Sequence, residues 1–599
     1  VFYFFYFYQS KLEFLKKTEE SLENSGISAK FDLSGGQMEI KSFEDLKTKI
    51  WPMLKGGFDA YQGLSELAGI WLKFAGDADE FRSALFSGLS GAKTGLIFPA
   101  LKNLKDDVSA MNRAVDKIDI NSPGIKDFLP ISPDKYLSIK YEINFWDKAL
   151  DSAIAWLSSD RKIIVFFQNS SEMRPTGGFW GSFAEINIRN GEISSTTVKD
   201  INEVDRRLEL KTVPPKPLQA LVTNWRTADA NWFFDFRDSA ARATVFMNAS
   251  KFYSESQEKV DAVFAISPKT ISDLLALTGP VAVSSTKEMV GADNFLPVIQ
   301  EEVQKGQSAG IKNAKNVLSE LFSVIIPRLG GLNGEGGNQI ILKFLDWAKS
   351  KDVMFWAEDA SLESVFEAKG VAGSAFEIPR RFEGDYLAVA SANIGGGKSD
   401  YVLRQTINFE SQINLDGTVN NHLEIIRVNN AKKNDKWWYR TANQSYTRVF
   451  LPEGSIIQGG LGGIAKTVYP PINYKSKGYA ADPKILKLEA GESKVKGYPW
   501  LTEQKDAGKS IFAFWTKTPP GGTSKVVLDY TRRLFVAPAD GISYQFVFDK
   551  QPGVNGEYSF SFSAPAGFTW KENGSTVYEY KGSDLPGQLI LELTLNKSD

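Results

Sequence analysis

A glutamate, an arginine and a glycine pair lie close together in residues 169–180, directly after a short apolar run at 162–167. Glycine allows positive φ and lets another group approach the main chain closely. An arginine beside such a turn, here Arg174, can present a planar fork of donors to a phosphate or a carboxylate. The apolar run predicts a buried strand, and strand ends are where α/β folds place ligand sites. The segment therefore predicts either a ligand-binding turn or a tight turn in which Arg174 pairs with Glu172.

More charged residues follow at predicted strand ends, turns and a helix start. Several arginines beside one or two carboxylates suit a diphosphate ligand, with an acid serving as base or holding a divalent ion. The predicted ligand-binding residues are Arg174, Gly177, Gly178, Lys199, Arg226 and Arg237. Asp200 and Asp229 are the predicted catalytic residues, and Asp200 is also the candidate magnesium ligand. The alternative is a network of surface ion pairs, each contributing roughly 0–1 kcal/mol.

The amino-acid composition excludes several kinds of functional site. The net charge of −2 over 599 residues gives no indication of a nucleic-acid surface. Cysteine is absent, which excludes disulfides, thiolate catalysis and cysteine-based metal sites. His422 is the only histidine and lies in a strand-like alternation, so it is interpreted as a surface or packing residue. Any metal would be a hard ion bound by carboxylates. Gly177-Gly178 lacks the further glycine and the helix of a nucleotide-binding motif.

The chain begins with eight apolar or aromatic residues, 1–8. Eight residues are too few to span a bilayer, which takes about 20 in a helix. We interpret the segment as the end of a truncated transmembrane anchor with tyrosine at the interface. A buried strand is the alternative.

The remaining pattern predicts a multidomain α+β protein. Apolar residues at spacings of three and four predict a helical stalk or bundle over 9–158. Residues 159–395 alternate between strand and helix signals, with a hairpin turn at Asn190-Gly191, and predict a layered α/β domain. Short alternating strands predict a β-sandwich over 396–538 and a C-terminal β module over 539–599. At 599 residues, several domains are expected.

Several motifs occur in one order along the chain and resemble a bacterial family of unknown function, domain of unknown function 4012. They are Glu172-x-Arg174-Pro-Thr-Gly-Gly-Phe179, Asp229-Ala-Asn231, Asp235-Phe236, Val260-Asp261-Ala-Val, Thr278-Gly279-Pro280, Asn393 to Asp400 and Tyr446-x-Arg448-Val-Phe-Leu-Pro452. The resemblance runs from the helical region to about residue 540. Members are held in the cell membrane by a single N-terminal helix with the bulk extracytoplasmic, which implies the same for this chain.

The central domain is similar, more distantly, to the LytR-CpsA-Psr proteins. These transfer lipid-diphosphate-linked glycans to the cell wall, using arginines and aspartates around the diphosphate and a magnesium ion. Arg174 falls near their first Arg-Ser-Asp-Thr motif, and Lys199-Asp200 near their Pro-Arg-Asp motif. Pro175 and Thr176 replace the Ser-Asp of the first motif, which removes a metal ligand that the comparison implies, and the later arginine pair has no clear counterpart.

Two hypotheses follow. The first is a membrane-anchored, extracytoplasmic protein of the cell envelope that binds or transfers diphosphate-linked glycan lipids, at most as a LytR-CpsA-Psr-like phosphotransferase using magnesium. Its partners would be the membrane and a cell-wall glycan or polyprenyl-diphosphate-linked glycan, with no nucleic acid. The alternative is a non-catalytic structural or adhesive surface protein with a degenerate central domain and β-sandwich spacer or binding modules.

Overall fold

A computed structural model describes residues 29–32, 37–40, 58–92, 95–118, 132–309, 315–332 and 335–598. It shows a mixed α+β protein with a helical N-terminal region and several sheets, which confirms the predicted class at that level. The aromatic segment 1–8 lies outside the described residues. Within the described ranges, every helix is too short or too polar to cross a membrane.

Among the described residues of the N-terminal region are three long helices: α1 (Phe58–Leu89), α2 (Ile97–Asp116) and α3 (Pro133–Leu157). Ser132 caps α3, accepting a hydrogen bond from the Lys135 amide, and Pro133 occupies its first turn. Their apolar faces share one core that includes Phe74, Leu104, Met111 and Trp146.

The prediction of helix throughout 9–158 is wrong at two short strands, β1 (Ala29–Asp32) and β2 (Gln37–Ile40), which pair antiparallel. Residues of alternating polarity on either side of Gly35-Gly36 account for the difference, since period-two alternation favours a strand.

The central sheet has five strands in the order β5-β4-β3-β6-β7. They are β3 (Arg161–Asn169), β4 (Phe179–Arg189), β5 (Glu192–Asp200), β6 (Ala262–Ile266) and β7 (Val353–Ala357). Only β3 and β6 are parallel neighbours; the other pairs are antiparallel. The predicted hairpin at Asn190-Gly191 is confirmed, with both residues at positive φ between β4 and β5.

Helices cover both faces of this sheet. They are α4 (Ile201–Asp205), α5 (Phe236–Ala249), α6 (Lys251–Ser254), α7 (Pro268–Thr278), α8 (Phe295–Ser308), α9 (Asn316–Gly330), α10 (Glu335–Lys349) and α11 (Ala360–Ala368). One face packs Phe166 and Trp180 against α5. The opposite face packs Phe167 against α7, α8 and α9. Because strand side chains alternate between faces, neighbouring residues of one strand enter different cores.

Two larger sheets follow. The eight-stranded sheet has the order β13-β14-β15-β11-β8-β17-β21-β19, and the six-stranded sheet has the order β12-β16-β10-β9-β18-β20. The strands are β8 (Gly384–Asn393), β9 (Leu403–Ile413), β10 (Thr418–Asn429), β11 (Asn443–Pro452), β12 (Ile456–Leu461), β13 (Ser493–Val495), β14 (Tyr498–Asp506), β15 (Lys509–Thr518), β16 (Thr523–Arg533), β17 (Ser543–Asp549), β18 (Gly556–Ser563), β19 (Phe568–Trp570), β20 (Val577–Gly582) and β21 (Gln588–Lys597), with helix α12 (Pro483–Ala490) inserted. Side chains from both sheets form one hydrophobic core.

Strand pairing does not follow the predicted divisions at residues 395 and 538. β8 lies inside the predicted central domain, yet it is an inner strand of the eight-stranded sheet. β17 pairs with β8 and β18 pairs with β9, both parallel. Residues 539–599 therefore complete both large sheets. These pairings join strands more than 100 residues apart, which local sequence patterns do not encode.

The second face of the eight-stranded sheet packs on the central domain. All ten residues of β8 are buried, and Ala388, Ala390 and Ala392 let the two layers approach. Across this interface Trp232 stacks on Tyr446 with ring centroids 6.0 Å apart. The central domain and the eight-stranded sheet thus share one core, which holds the turn after β3 in place.

Candidate functional site

The turn between β3 and β4, residues 170–178, lies where the central sheet meets the eight-stranded sheet. Its backbone closes on itself through hydrogen bonds from Gly177 N to the Arg174 carbonyl and from Phe179 N to the Glu172 carbonyl. Met173 accepts a hydrogen bond from Asn393 N at 2.9 Å, and the Met173 amide donates to the Asp400 carboxylate at 3.0 Å. Hydrogen bonds within the turn and hydrogen bonds to Asn393 and Asp400 therefore hold the turn in place.

Arg174 is 1% exposed, and its terminal nitrogens are fully engaged. Nη1 donates to the carbonyls of Asn393 at 2.8 Å and Met173 at 3.1 Å. Nη2 contacts the carboxylates of Asp229 at 3.0 Å and Glu172 at 3.3 Å. The predicted Arg174–Glu172 pair is confirmed. Since both ends of the fork are used, Arg174 presents no free pair of donors to a phosphate.

The glycine pair is required by packing. Gly177 has φ +123°, and a Cβ there would lie 2.2 Å from Gln168 Oε1. A Cβ on Gly178 would lie 2.6 Å from the Asn169 carbonyl carbon. The sequence predicted that another group comes close to these glycines, and in the structure that group is the protein's own strand β3, at Gln168 and Asn169. Gly178 also accepts a hydrogen bond from Asn231, which in turn accepts one from Thr176.

Asp200 is occupied by local contacts. It caps α4, accepting hydrogen bonds at 2.9 Å from both the amide and the side chain of Asn202. Lys315 Nζ lies 2.9 Å from the same carboxylate. A lysine thus occupies the place that a cation would take, and nowhere in the described ranges do three or more His, Cys, Asp or Glu side chains group to hold a metal. These residues do not fit the magnesium site that the resemblance implies.

Lys199 points to the opposite face of the sheet from Asp200, as consecutive strand residues must. Its Nζ lies 2.9 Å from Glu185, which also accepts a hydrogen bond from the Tyr253 hydroxyl at 2.7 Å. Burial disfavours the charged carboxylate, but these hydrogen bonds, with the charges of Lys199 and Lys162, lower the pKa of Glu185 to about 2. Lys199 therefore belongs to a structural ion cluster and does not join the other predicted residues.

The three predicted arginines do not converge. Arg237 pairs with Asp235 at 2.8 Å and with Glu367. Arg226 is exposed, and its side chain makes no ion pair within the described ranges. Arg174 is buried with Asp229, which ties this predicted catalytic carboxylate to the turn. The structure thus brings together Arg174, Gly177, Gly178 and Asp229. Other partners hold the side chains of Lys199, Asp200 and Arg237, and the side chain of Arg226 is exposed although its carbonyl accepts a hydrogen bond from the Asp229 amide.

Beside the turn lies a cavity of about 340 Å³, here called the head cavity. Its polar lining residues include Glu172, Gln300, Lys315 and Lys398, and Trp438 closes one side. Its apolar lining residues include Phe167, Phe179, Pro268, Ile271, Phe295, Leu296, Ile299, Val303, Leu318 and Trp437. One wall thus belongs to the central domain and another to the loops of the eight-stranded sheet.

Lys398 is the cation of this cavity that lacks a close partner. No ion pair or side-chain hydrogen bond to its Nζ occurs among the described residues. Burial lowers the pKa of Lys398, the Glu172 carboxylate opposes this, and repulsion from Lys315 adds to the lowering. Burial also raises the pKa of Glu172, against the opposing charges of Arg174 and Lys398. An anion at this point would relieve the repulsion between the two lysines.

Sequence analysis did not assign Lys398, Lys315 or Gln300 to the site. Lys398 ends the run Gly395-Gly396-Gly397, and a glycine run followed by a lysine is a signal that could have found it. Lys315 and Gln300 come from other parts of the chain and carry no local signal. Their placement depends on how α8 and α9 pack against the sheet.

Residues 158–303 match the model of a family described as a protein of unknown function, DUF4012. This supports the resemblance drawn from the motifs over the first part of the central domain, a shorter span than the motifs suggested. No curated protein matches the chain.

Two solved structures each match about a third of this chain. A "putative nutrient binding protein" from Legionella pneumophila has 8% identity and a TM-score of 0.20, covering 36% of this chain and 72% of that one. Protein gbs0355 from Streptococcus agalactiae has 14% identity and a TM-score of 0.23, covering 36% of this chain and 75% of that one.

Proposed function

We propose that the protein is a membrane-anchored, extracytoplasmic cell-envelope protein that binds the anionic headgroup of a diphosphate-linked glycan lipid in the head cavity. The observation that carries this is Lys398, a cation without an ion pair that faces a cavity with an apolar wall. The proposal is binding without transfer, because Asp200 and Asp229 are already held by Lys315 and Arg174.

The charge arrangement supports an anionic ligand. A phosphate between Lys398 and Lys315 would lie against two cations that otherwise repel each other. Glu172 is compatible with such a ligand in its protonated form, because a carboxylic acid donates a hydrogen bond to a phosphate oxygen. Since burial raises the pKa of Glu172, binding should strengthen as the pH falls toward that pKa.

The apolar wall supports a lipid-linked ligand. Ile271, Leu296, Ile299 and Val303 line the cavity on the side of α7 and α8. Binding sites for such ligands are mostly apolar, with a few polar groups that fix orientation. At about 340 Å³ the cavity holds a headgroup with its first isoprenoid carbons, and the rest of the lipid would stay outside.

The test is calorimetric titration with farnesyl diphosphate, a soluble probe that has both parts of the ligand. Lys398→Gln should weaken binding at least about tenfold, which corresponds to about 1.4 kcal/mol. Lys571→Gln, which removes an exposed charge elsewhere, is the matched control and should bind as the wild type does. Farnesol and inorganic diphosphate should each bind more weakly than farnesyl diphosphate. Equal affinity in Lys398→Gln and wild type would refute the site.

Anchoring and location need a separate test on the full-length protein. The protein should sediment with membranes, and protease added outside intact cells should degrade it. Recovery in the soluble fraction after lysis would refute the anchored part of the proposal and leave the head cavity unaffected.

A structural or adhesive role is the second candidate, and a specific observation favours it. The turn 170–178 joins the central domain to the eight-stranded sheet through Asn393, Asp400 and Gln551, whose side chain donates to the Arg174 carbonyl at 3.0 Å. Arg174, which was predicted to bind a ligand, therefore helps to hold two layers together. If farnesyl diphosphate does not bind, this scaffold role explains the turn by itself.

A further inference from the structure

A second cavity, of about 200 Å³, lies between the eight-stranded sheet and helix α12, and is here called the sheet cavity. Its floor is formed by side chains of β11, β14 and β15, including Tyr446, Arg448, Thr502 and Trp515. Trp232 of the central domain closes one side. No residue of this cavity lines the head cavity.

Arg448 is a buried cation in the lining of the sheet cavity. The residue is 5% exposed, and one terminal nitrogen donates to the Trp232 carbonyl. No carboxylate lies within ion-pair distance of it in the described part of the chain. Burial lowers the pKa of Arg448 to about 10, although nearby Tyr446 and Asp506 oppose the shift. A buried cation without a counter-charge is costly, and a bound anion would remove that cost.

Lys466 supplies a second cation at the rim. Its Nζ lies 4.1 Å from the centroid of the Trp515 ring. It too makes no ion pair among the described residues, and burial lowers its pKa. The acidic side of the cavity is partly neutralised, because Glu492 is held by Lys216 at 3.5 Å and by Gln504 at 2.8 Å. The cations of the lining are Lys216, Arg448, Lys466 and Lys494, and its acids are Glu489 and Glu492.

The rest of the lining suits a sugar. Trp232, Tyr446, Trp500 and Trp515 line the space, and aromatic rings pack well against the C–H face of a pyranose ring. Trp232 and Tyr446 stack on each other and Lys466 lies over Trp515, so the sugar would contact Trp500 and the ring surfaces that these contacts leave open. Thr502 donates to the Ala513 carbonyl and Gln504 donates to Glu492, which leaves the oxygens of both side chains to accept hydrogen bonds from sugar hydroxyls. The volume is below the roughly 300 Å³ at which pockets for drug-sized ligands begin. It therefore suits one ring.

We propose that the sheet cavity binds a single anionic sugar unit, with its carboxylate or phosphate on Arg448 and Lys466 and its ring against the aromatic wall. The site is independent of the head cavity, so it stands whether or not the protein binds a lipid diphosphate. The anionic sugar can be a free monosaccharide or one residue of an acidic polysaccharide.

Calorimetric titration of the full chain tests this with four probes: glucuronic acid, glucose, inorganic phosphate and a hyaluronan tetrasaccharide. Glucuronic acid should bind saturably and at least about tenfold more tightly than glucose or phosphate, because only it uses both the cations and the aromatic wall. Tighter binding of the tetrasaccharide would identify a polymer as the source, and tighter binding of the monosaccharide a free sugar. Glucose binding as tightly as glucuronic acid, or no saturable binding by either acidic sugar, would overturn the proposal.

Variants locate the site. Lys466→Gln, at the rim where the fold is little affected, should lower glucuronic acid affinity about three- to tenfold. Arg448→Met should abolish binding, and Arg448→Lys should restore part of it. Lys475 is an exposed lysine that, like Lys466, lies in the segment between β12 and α12. Lys475→Gln is therefore the control and should leave the affinity for glucuronic acid unchanged. Wild-type affinity in both Lys466→Gln and Arg448→Met would place the ligand elsewhere and refute the site.

Discussion

Two buried arginines lie on either side of the interface between the central domain and the eight-stranded sheet, and they differ in their partners. Arg174 has two carboxylates and two carbonyls around it. Arg448 has one carbonyl and no carboxylate, and it borders a cavity. Burial is nearly the same in both. The difference teaches that the charge balance around a buried cation, more than its burial, separates a structural residue from a candidate for ligand binding.

The largest effect is expected for Arg174→Met. Removing one partner of a buried, hydrogen-bonded ion pair leaves Asp229 without a counter-charge and Glu172 with only the more distant Lys398, which costs about 3–5 kcal/mol. The measurement is the free energy of unfolding from urea denaturation. A loss below about 1 kcal/mol together with lost farnesyl diphosphate binding would contradict the comparison, because Arg174 would then serve the ligand and not the fold.

The next effect concerns the turn that holds Arg174. Gly177→Ala should lower the free energy of unfolding by about 1–3 kcal/mol, because it adds steric overlap with Gln168 to an unfavourable φ. Gly454→Ala is the control, since Gly454 also has positive φ but no atom near the position of a Cβ. Equal losses in the two variants would show that backbone strain alone explains the result and that the turn is not tightly packed.

A smaller effect is expected for Arg448→Met. This change removes a buried charge that has no counter-charge, so the free energy of unfolding should stay within about 1 kcal/mol of wild type or rise. Urea denaturation without ligand is the measurement. A loss as large as that of Arg174→Met would show that Arg448 is structural, and the contrast between the two arginines would fail.

A buried carboxyl group, that of Asp385, should make the stability of the protein depend on pH. Asp385 is fully buried, and burial raises its pKa to about 6 from a usual 3.8, against the opposing charge of nearby Arg532. The folded state therefore binds this proton more tightly than the unfolded state, and stability should fall as pH rises from about 4 to about 6. Asp385→Asn should flatten that part of the stability profile. An unchanged slope would show that Asp385 is already ionised throughout this range.

Local patterns predicted the local structure well. The apolar run 162–167 is a strand, Asn190-Gly191 is a hairpin turn, and Glu172 pairs with Arg174, because each depends on neighbours in sequence. Local sequence patterns did not predict contacts between residues that are far apart in the chain. The partner of Arg174 across the site, Asp229, comes from a separate loop, and the head cavity includes Lys315 and Lys398 from two further regions.

The three arginines predicted to bind the ligand show why sequence alone did not predict the site correctly. Arg174, Arg226 and Arg237 all fall near strand ends or helix starts, and sequence cannot show whether such residues already have acidic partners. In the structure Arg237 pairs with Asp235 and Arg174 with Asp229, contacts that decide whether a guanidinium is available. The opposite orientation of Lys199 and Asp200, by contrast, can be predicted from sequence, because consecutive residues of a strand point to opposite faces of the sheet.

The parallel pairing of β17 with β8 and of β18 with β9 has a consequence for synthesis of the chain. Until β17 and β18 leave the ribosome, β8 and β9 each have one edge unpaired, and exposed edges invite association with other chains. The two large sheets can close only after β17 and β18 emerge. A chain that stops before residue 543 should accumulate as aggregate, while the helices α1 to α3 need no C-terminal strand to form.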